Sequence, residues 1–408
     1  MAEALWRHDA PAALSGWRAA ALALLMVALV ACKPVSGPVR FHAEGQPATL
    51  AEWNLFVRED GVMAPSAGVV PYDLNTPLFS DYAHKLRTVW MPEGKAAVYD
   101  GEATFDFPVG TIISKTFYYP RVAGEAADSD AVLRSQGGEG ALAGGRLQLD
   151  KVRLIETRLL VRREAGWVAL PYVWNREQTE ARLMRSGELV PLTLVEGDDG
   201  AGGRESAMRE SALYQVPDQN QCAGCHGTEI RSRALEPIGP KARHLNRDFD
   251  YVDTDDSPVR ENQLRHWRAQ GYLRDLPADG AMPRVADWRD GTQTVEARAR
   301  AYLDINCAHC HSPGGPGNTS GLWLGSAVDQ PLRLGRCKLP IAAGHGTGDR
   351  RFGIVPGHPE RSILSYRMIS TDPGVMMPEL GRSVVHREGV ALIEAWIAAQ
   401  TGECGDAG

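Results

Sequence analysis

Residues 222–226 read Cys-Ala-Gly-Cys-His, and residues 307–311 read Cys-Ala-His-Cys-His. In each stretch two thiols stand three positions apart, close enough on one turn to add to the two vinyl groups of a single haem. The His that follows at once falls beneath the iron, where an imidazole nitrogen serves as proximal ligand. A structural zinc site would want four ligands and gives no reason for a His after each pair. A redox dithiol would sit in a βαβ setting and would need only one pair. The expected cofactors are therefore two covalently bound c-type haems with their iron. Cys222, Cys225, Cys307 and Cys310 would hold them, and His226 and His311 would ligate the metal. This reading decides the expected fold, because large groups filling the core allow a few helices joined by Gly- and Pro-rich loops such as Ser312–Gly317.

Working outward, Thr294–Ile305 reads as a helix, with Val295, Ala299, Tyr302 and Leu303 on one face, and it runs straight into Cys307. Glu388–Gln400 reads as another, with Val390, Ile393, Trp396 and Ile397 at helical spacing and Gly402 as its stop. Glu261–Tyr272 is a third, with Leu264 and Trp267 on one side. Upstream the character is different. Thr111–Tyr119, Lys151–Arg162 and Trp167–Trp174 have β-branched and aromatic strand composition, and Arg163–Gly166 suits a hairpin loop. The expected architecture is multidomain: a β-rich module over 32–215, sandwich or barrel-like, followed by mainly-α cytochrome c-like haem domains. A first haem region would span 216–291 and a second haem domain 292–408.

The chain has 408 residues, of which 43% are hydrophobic and 23% charged, values that exclude wholesale disorder, collagen and coiled coil. A net charge of −7 argues against a nucleic-acid partner. Most of the negative excess precedes Cys222, so the haem half is near neutral. That balance favours partner recognition by an apolar haem edge over strong charge steering. Asp248–Asp256 is acidic but lacks the Gly and closing Glu of an EF-hand, which leaves a solvated loop as its plain reading.

Three cysteines remain. Ala19–Ala31 is an apolar run of thirteen residues, too short for the ~20 of a membrane span but suited to a signal-peptide core. It ends Leu29-Val30-Ala31-Cys32, which resembles the lipobox of bacterial lipoproteins, whose Cys becomes the lipidated first residue. A signal peptide over 1–31 and lipidation at Cys32 are the expectation, with a plain signal peptide or a short anchor as alternatives. Lys33 after the Cys implies, by the same resemblance, the outer membrane. Cys337 and Cys404 are left over, and in an exported chain two leftover thiols make one disulfide.

The second haem segment resembles a class I cytochrome c domain. Met377-Pro378-Glu-Leu-Gly381, before the closing helix, is similar to the Met-Pro segment that supplies the sixth ligand there. The resemblance implies Met377 as that ligand, with Met376 and Met368 as alternatives. The first segment has Met282, His244 and His266 as its choices. Met282-Pro283 repeats the Met-Pro dipeptide and leads, although it falls after the third helix. The sixth position can also be open.

The order of segments resembles a bacterial family of predicted diheme c-type cytochromes, lipoproteins often encoded beside a parallel β-helix repeat protein. The matching stretches include Tyr72–Tyr82, Phe107–Ile113, Tyr172–Asn175, Gln221–His226, Pro237–Lys241, Asn306–His311 and Met377–Gly381. The implied function is one-electron transfer by an exported diheme cytochrome c. Its partner would be a periplasmic or outer-membrane redox protein, and a lipid anchor would hold it to the membrane. The alternative is a diheme peroxidase-like enzyme, or a haem-based redox or gas sensor, with an open first site.

Overall fold

Val152–Arg163 and its neighbours fix the frame. The computed structural model describes residues 37–136, 140–197, 208–227, 232, 234–252, 257–278, 280–341 and 343–405. Within it β1 (Val70–Tyr72), β2 (His84–Trp90), β3 (Ile112–Pro120), β4 (Val152–Arg163), β5 (Gly166–Trp174) and β6 (Ala181–Leu183) pair in chain order as one antiparallel sheet. The β4–β5 hairpin closes at Arg163 opposite Gly166, whose φ of +123° is one that L side chains rarely adopt. Side chains alternate across a strand, and here both faces are covered. Ile112, Leu159, Val161 and Leu170 pack on one side with Trp53 and Tyr172. Ile113, Leu160 and Ala169 face the other side.

That second face shares a core with the downstream half. Cys222, Ile238, Leu245, Leu264, Trp267 and Ile305 join Ile113, Leu160 and Ala169 in one cluster. Pro38–Gly408 accordingly clusters as a single compact unit. A three-stranded sheet of Ala131–Arg134, Glu188–Glu196 and Arg209–Val216 packs Leu192, Leu194 and Tyr214 against Phe117 and Tyr119 of β3.

The helices are α1 (Gln219–His226), α2 (Ala242–Leu245), α3 (Gln263–Ala269), α4 (Val295–Asn306), α5 (Ile363–Ile369) and α6 (Arg387–Ala398). Thr294 caps α4 by accepting from the Ala297 N–H at 3.2 Å. Ala299, Tyr302 and Leu303 of α4 share a core with Val390, Ile393, Trp396 and Ile397 of α6.

The expectation of mainly-α cytochrome c-like domains after the β module is overturned. Strands make up 30% of the structure and helices only 19%, over six helices. The helices are short, from 4 to 12 residues. The downstream half also forms β structure: Asp248–Val252 pairs with Pro258–Asn262, and Leu273–Arg274 joins Ala97–Val98 in parallel. Hydrophobic periodicity located the longer helices, and α4 does pack on α6, but the apolar side chains of α1, α2 and α3 share their core with the upstream sheet rather than with more helix.

The segment Tyr72–Tyr82 stitches the two halves together. The Phe79 N–H donates to Asn306 Oδ1 at 2.9 Å, and Thr76 Oγ1 donates to the Ala286 carbonyl at 2.8 Å. Asp81 accepts from the Ser383 and Val384 N–H groups at 2.7 and 3.0 Å and from Ser383 Oγ at 2.9 Å. The signal peptide and Cys32 lie outside the described residues. No helix among the described residues is long and apolar enough to cross a membrane.

Candidate cofactor site

Helix α1 carries the first motif. Asp218 caps it, accepting from the Gln221 N–H at 2.7 Å while Gln221 returns the contact at 3.0 Å. Gln219 donates to the Ala169 carbonyl at 3.3 Å, which ties the helix to β5. Cys222, Cys225 and His226 then open into a cavity. Its walls are Ile113 and Lys115 of β3, Leu160 of β4, Ala169 of β5, the 237–240 turn, and the 378–382 loop.

His226 Nδ1 bonds the Glu236 carbonyl at 2.7 Å, so Nε2 is the nitrogen left for a metal. His311 is held in the same way. Its Nδ1 meets Ser320 Oγ at 3.0 Å, and that hydroxyl donates to the Gly317 carbonyl at 2.6 Å. A Cβ on Gly315 would stand 2.3 Å from the Cys310 carbonyl oxygen, so only glycine lets the 312–317 loop lie this close to the motif.

The four motif cysteines are free thiols. Burial pushes Cys222 up to about 11 and both Cys307 and Cys310 up to about 12, and it raises Cys225 too. Thiols held protonated in this way are not poised as a redox dithiol. The motifs also touch. Cys310 Sγ lies 3.8 Å from the Gly224 carbonyl oxygen, and a Cβ on Gly224 would meet Leu380 Cδ1 at 2.9 Å. The Met-Pro loop thus reaches the first motif.

The cavity wall is strongly cationic, and most of its cations have partners. Arg87 pairs with Asp73 at 2.6 Å, and Arg158 pairs with the buried Glu156. Lys85 Nζ donates to the Leu78 and Ala83 carbonyls at 2.9 and 3.1 Å. Arg382 donates to four carbonyls, Met377 and Ser370 among them. Lys115 faces the cavity, and burial, with Arg158 and Arg87 adjacent, lowers its ammonium to about 8.

The residues expected as sixth ligands are scattered. Met377 is half-buried; its N–H donates to the Arg367 carbonyl at 2.9 Å, and Arg367 also acts on His311. Met368 and Met376 are buried, Met368 in the α4–α6 core. Met282 packs against the shared core but does not line the cavity, and its carbonyl accepts from Asn246. His244, one of the candidate sixth ligands, is buried with Nε2 on Asp304 at 2.7 Å, and Arg243 grips the same carboxylate. Burial opposes ionisation of Asp304, but His244 and Arg243 outweigh it and hold the carboxyl far below its usual range. His266 stacks on Tyr251 at 3.6 Å and bonds Glu261. Cys337 and Cys404 are joined by a disulfide with Cα atoms 5.2 Å apart.

Two participants escaped the sequence reading. Lys115 sits inside a strand pattern between Ser114 and Thr116, where a polar residue signals nothing special. His309 lies within the second motif yet lines the cavity of the first. Its only sequence signal was a titratable residue at a motif position open to any type. Among the described residues no group of three or more His, Cys, Asp or Glu side chains converges on a point; a haem iron needs no such group, since its axial ligands number two at most. No family model, curated protein or solved structure matches the chain.

Proposed function

We propose that this chain is an exported diheme c-type cytochrome that transfers single electrons. The observation that carries the reading is the contact of the two Cys-x-x-Cys-His segments, Cys310 Sγ to the Gly224 carbonyl at 3.8 Å. Two haems attached at touching segments would pass electrons in series within one body. Free thiols, histidines oriented through Nδ1, and a cavity rimmed by cations fit such a group. Cys222, Cys225 and His226 would hold the first haem, and Cys307, Cys310 and His311 the second, with Met377 as its sixth ligand. The bound iron supplies the one-electron couple. The protein sets each potential through axial ligand, burial and neighbouring charge.

By the same reading the chain is a periplasm-facing outer-membrane lipoprotein acylated at Cys32, serving a periplasmic or outer-membrane redox partner. The β sheet walls the first cavity, so its first task is to exclude water from that haem.

The test is expression in a host that attaches c-type haem, followed by a count of covalent haem per chain and reduction with ascorbate or dithionite. Two haems that cycle reversibly support the proposal. A haem-free chain with bound zinc or a motif disulfide removes it. Peroxide turnover at the first haem would favour the peroxidase-like alternative.

A further inference from the structure

We infer that His309, from the second motif, is the sixth ligand of the haem attached at the first. This rests on the diheme reading and extends it to a ligand set shared between motifs.

His309 follows the C-terminal end of α4, whereas Cys222, Cys225 and His226 lie on α1, yet all four line one cavity. Ring atom Nδ1 of His309 is sealed from solvent and has no hydrogen-bond partner among the described residues. A sealed, unpartnered nitrogen on a cavity wall signals a missing partner.

The competing donors are engaged or lie elsewhere. His244 is committed to Asp304, and His266 to Tyr251 and Glu261. Met282 does not line the cavity. The Lys85 amine is held by two carbonyls. Lys115 is the remaining rival on the wall.

A bis-imidazole first haem would differ from a His/Met second haem, because a thioether raises the potential. The two centres would then be unequal, with the first the lower. His309, adjacent to Cys310, would link the iron of one centre to the covalent attachment of the other.

The experiment uses the purified holoprotein, with covalent haem counted and spectra recorded by EPR and optical absorption. Wild type should show two low-spin haems. His309→Ala should keep two covalent haems but convert one to a high-spin form that binds carbon monoxide, and added imidazole should restore the low-spin signal. His309→Met, which keeps a donor and serves where the Ala variant is not recovered, should raise the lower potential. Two haems with spectra unchanged in both variants overturn the inference while leaving the diheme reading intact. So does loss of the low-spin signal in Lys115→Ala but not in His309→Ala. A wild-type count other than two overturns the diheme reading and this inference with it.

Discussion

Cys310 Sγ lies 3.8 Å from the carbonyl oxygen of Gly224, although the residues are 86 positions apart. The contact brings together the chain's two Cys-x-x-Cys-His segments, and Leu380 lays the Met-Pro loop against the first of them. Gly224→Val would push that loop aside. If Met377 ligates the second haem, the variant should weaken the methionine–iron charge-transfer band while the haem count stays at two. An unchanged band would detach Met377 from that role.

Asp81 pins the chain just past the same loop. It accepts from both N–H groups of Ser383 and Val384 and from the Ser383 hydroxyl. Asp81→Ala strands these buried donors, at about 1–3 kcal/mol for each left unsatisfied. Urea unfolding should show a loss of about 2–4 kcal/mol on that basis. Asp81→Asn keeps one acceptor oxygen and should lose less. Equal losses in the two variants would contradict this account.

The Cys337–Cys404 bridge closes a loop with a sequence separation of 67 residues. Constraint of the unfolded chain over a loop of that length is worth about 4 kcal/mol. Cys404→Ser should therefore lower the denaturant midpoint under oxidising conditions and leave haem content untouched. Wild type treated with reductant should fall to the level of the variant.

Acidification should destabilise the fold as its buried histidines take up protons. His84 and His386 line a second cavity that shares Leu78, Phe79 and Lys85 with the first. Burial, aided by Lys85 and Arg289, lowers His84 to about 4. Burial also lowers His386 to about 4, against the opposing charge of Glu388. An unfolded histidine titrates near ~6.5. Between about 4 and 6.5 the unfolded state thus binds more protons, and stability falls as pH drops through that window. Each ring contributes at most about 1.4 kcal/mol per pH unit. Urea midpoints at pH 7 and pH 5 should differ, and His84→Asn should flatten the slope. A midpoint that rises on acidification would refute the assignment.

Lys115 places a cation on the wall of the first cavity, facing Cys222 and Cys225 electrostatically. A positive charge beside the iron favours the reduced state, and the effect is strong where water is excluded. Lys115→Met should lower the potential of one haem and leave the other nearly unmoved. Potentiometric titration of the holoprotein reads both, and equal shifts would place Lys115 in a general structural role.

What the sequence determined is local. The thiol and imidazole spacing of the two motifs is chemistry within five residues, and no folding is needed to read it. The strands at Ile112–Pro120, Val152–Arg163 and Gly166–Trp174, and the helix that ends at Asn306, follow from composition and periodicity along their own length. Tertiary structure decided what those elements face. Short helices with partial apolar stripes read as a helical domain, but α1, α2 and α3 bury their apolar residues against the upstream sheet, through Ile113, Leu160 and Ala169, while α4, α5 and α6 pack on one another. The mainly-α expectation failed there. The same non-local burial committed His244 to Asp304, left Met282 off the cavity wall, and turned His309 into the cavity of the other motif. Pairing across 60 to 300 residues is set by which faces remain to be covered once the sheet has formed, and a linear pattern does not carry that information.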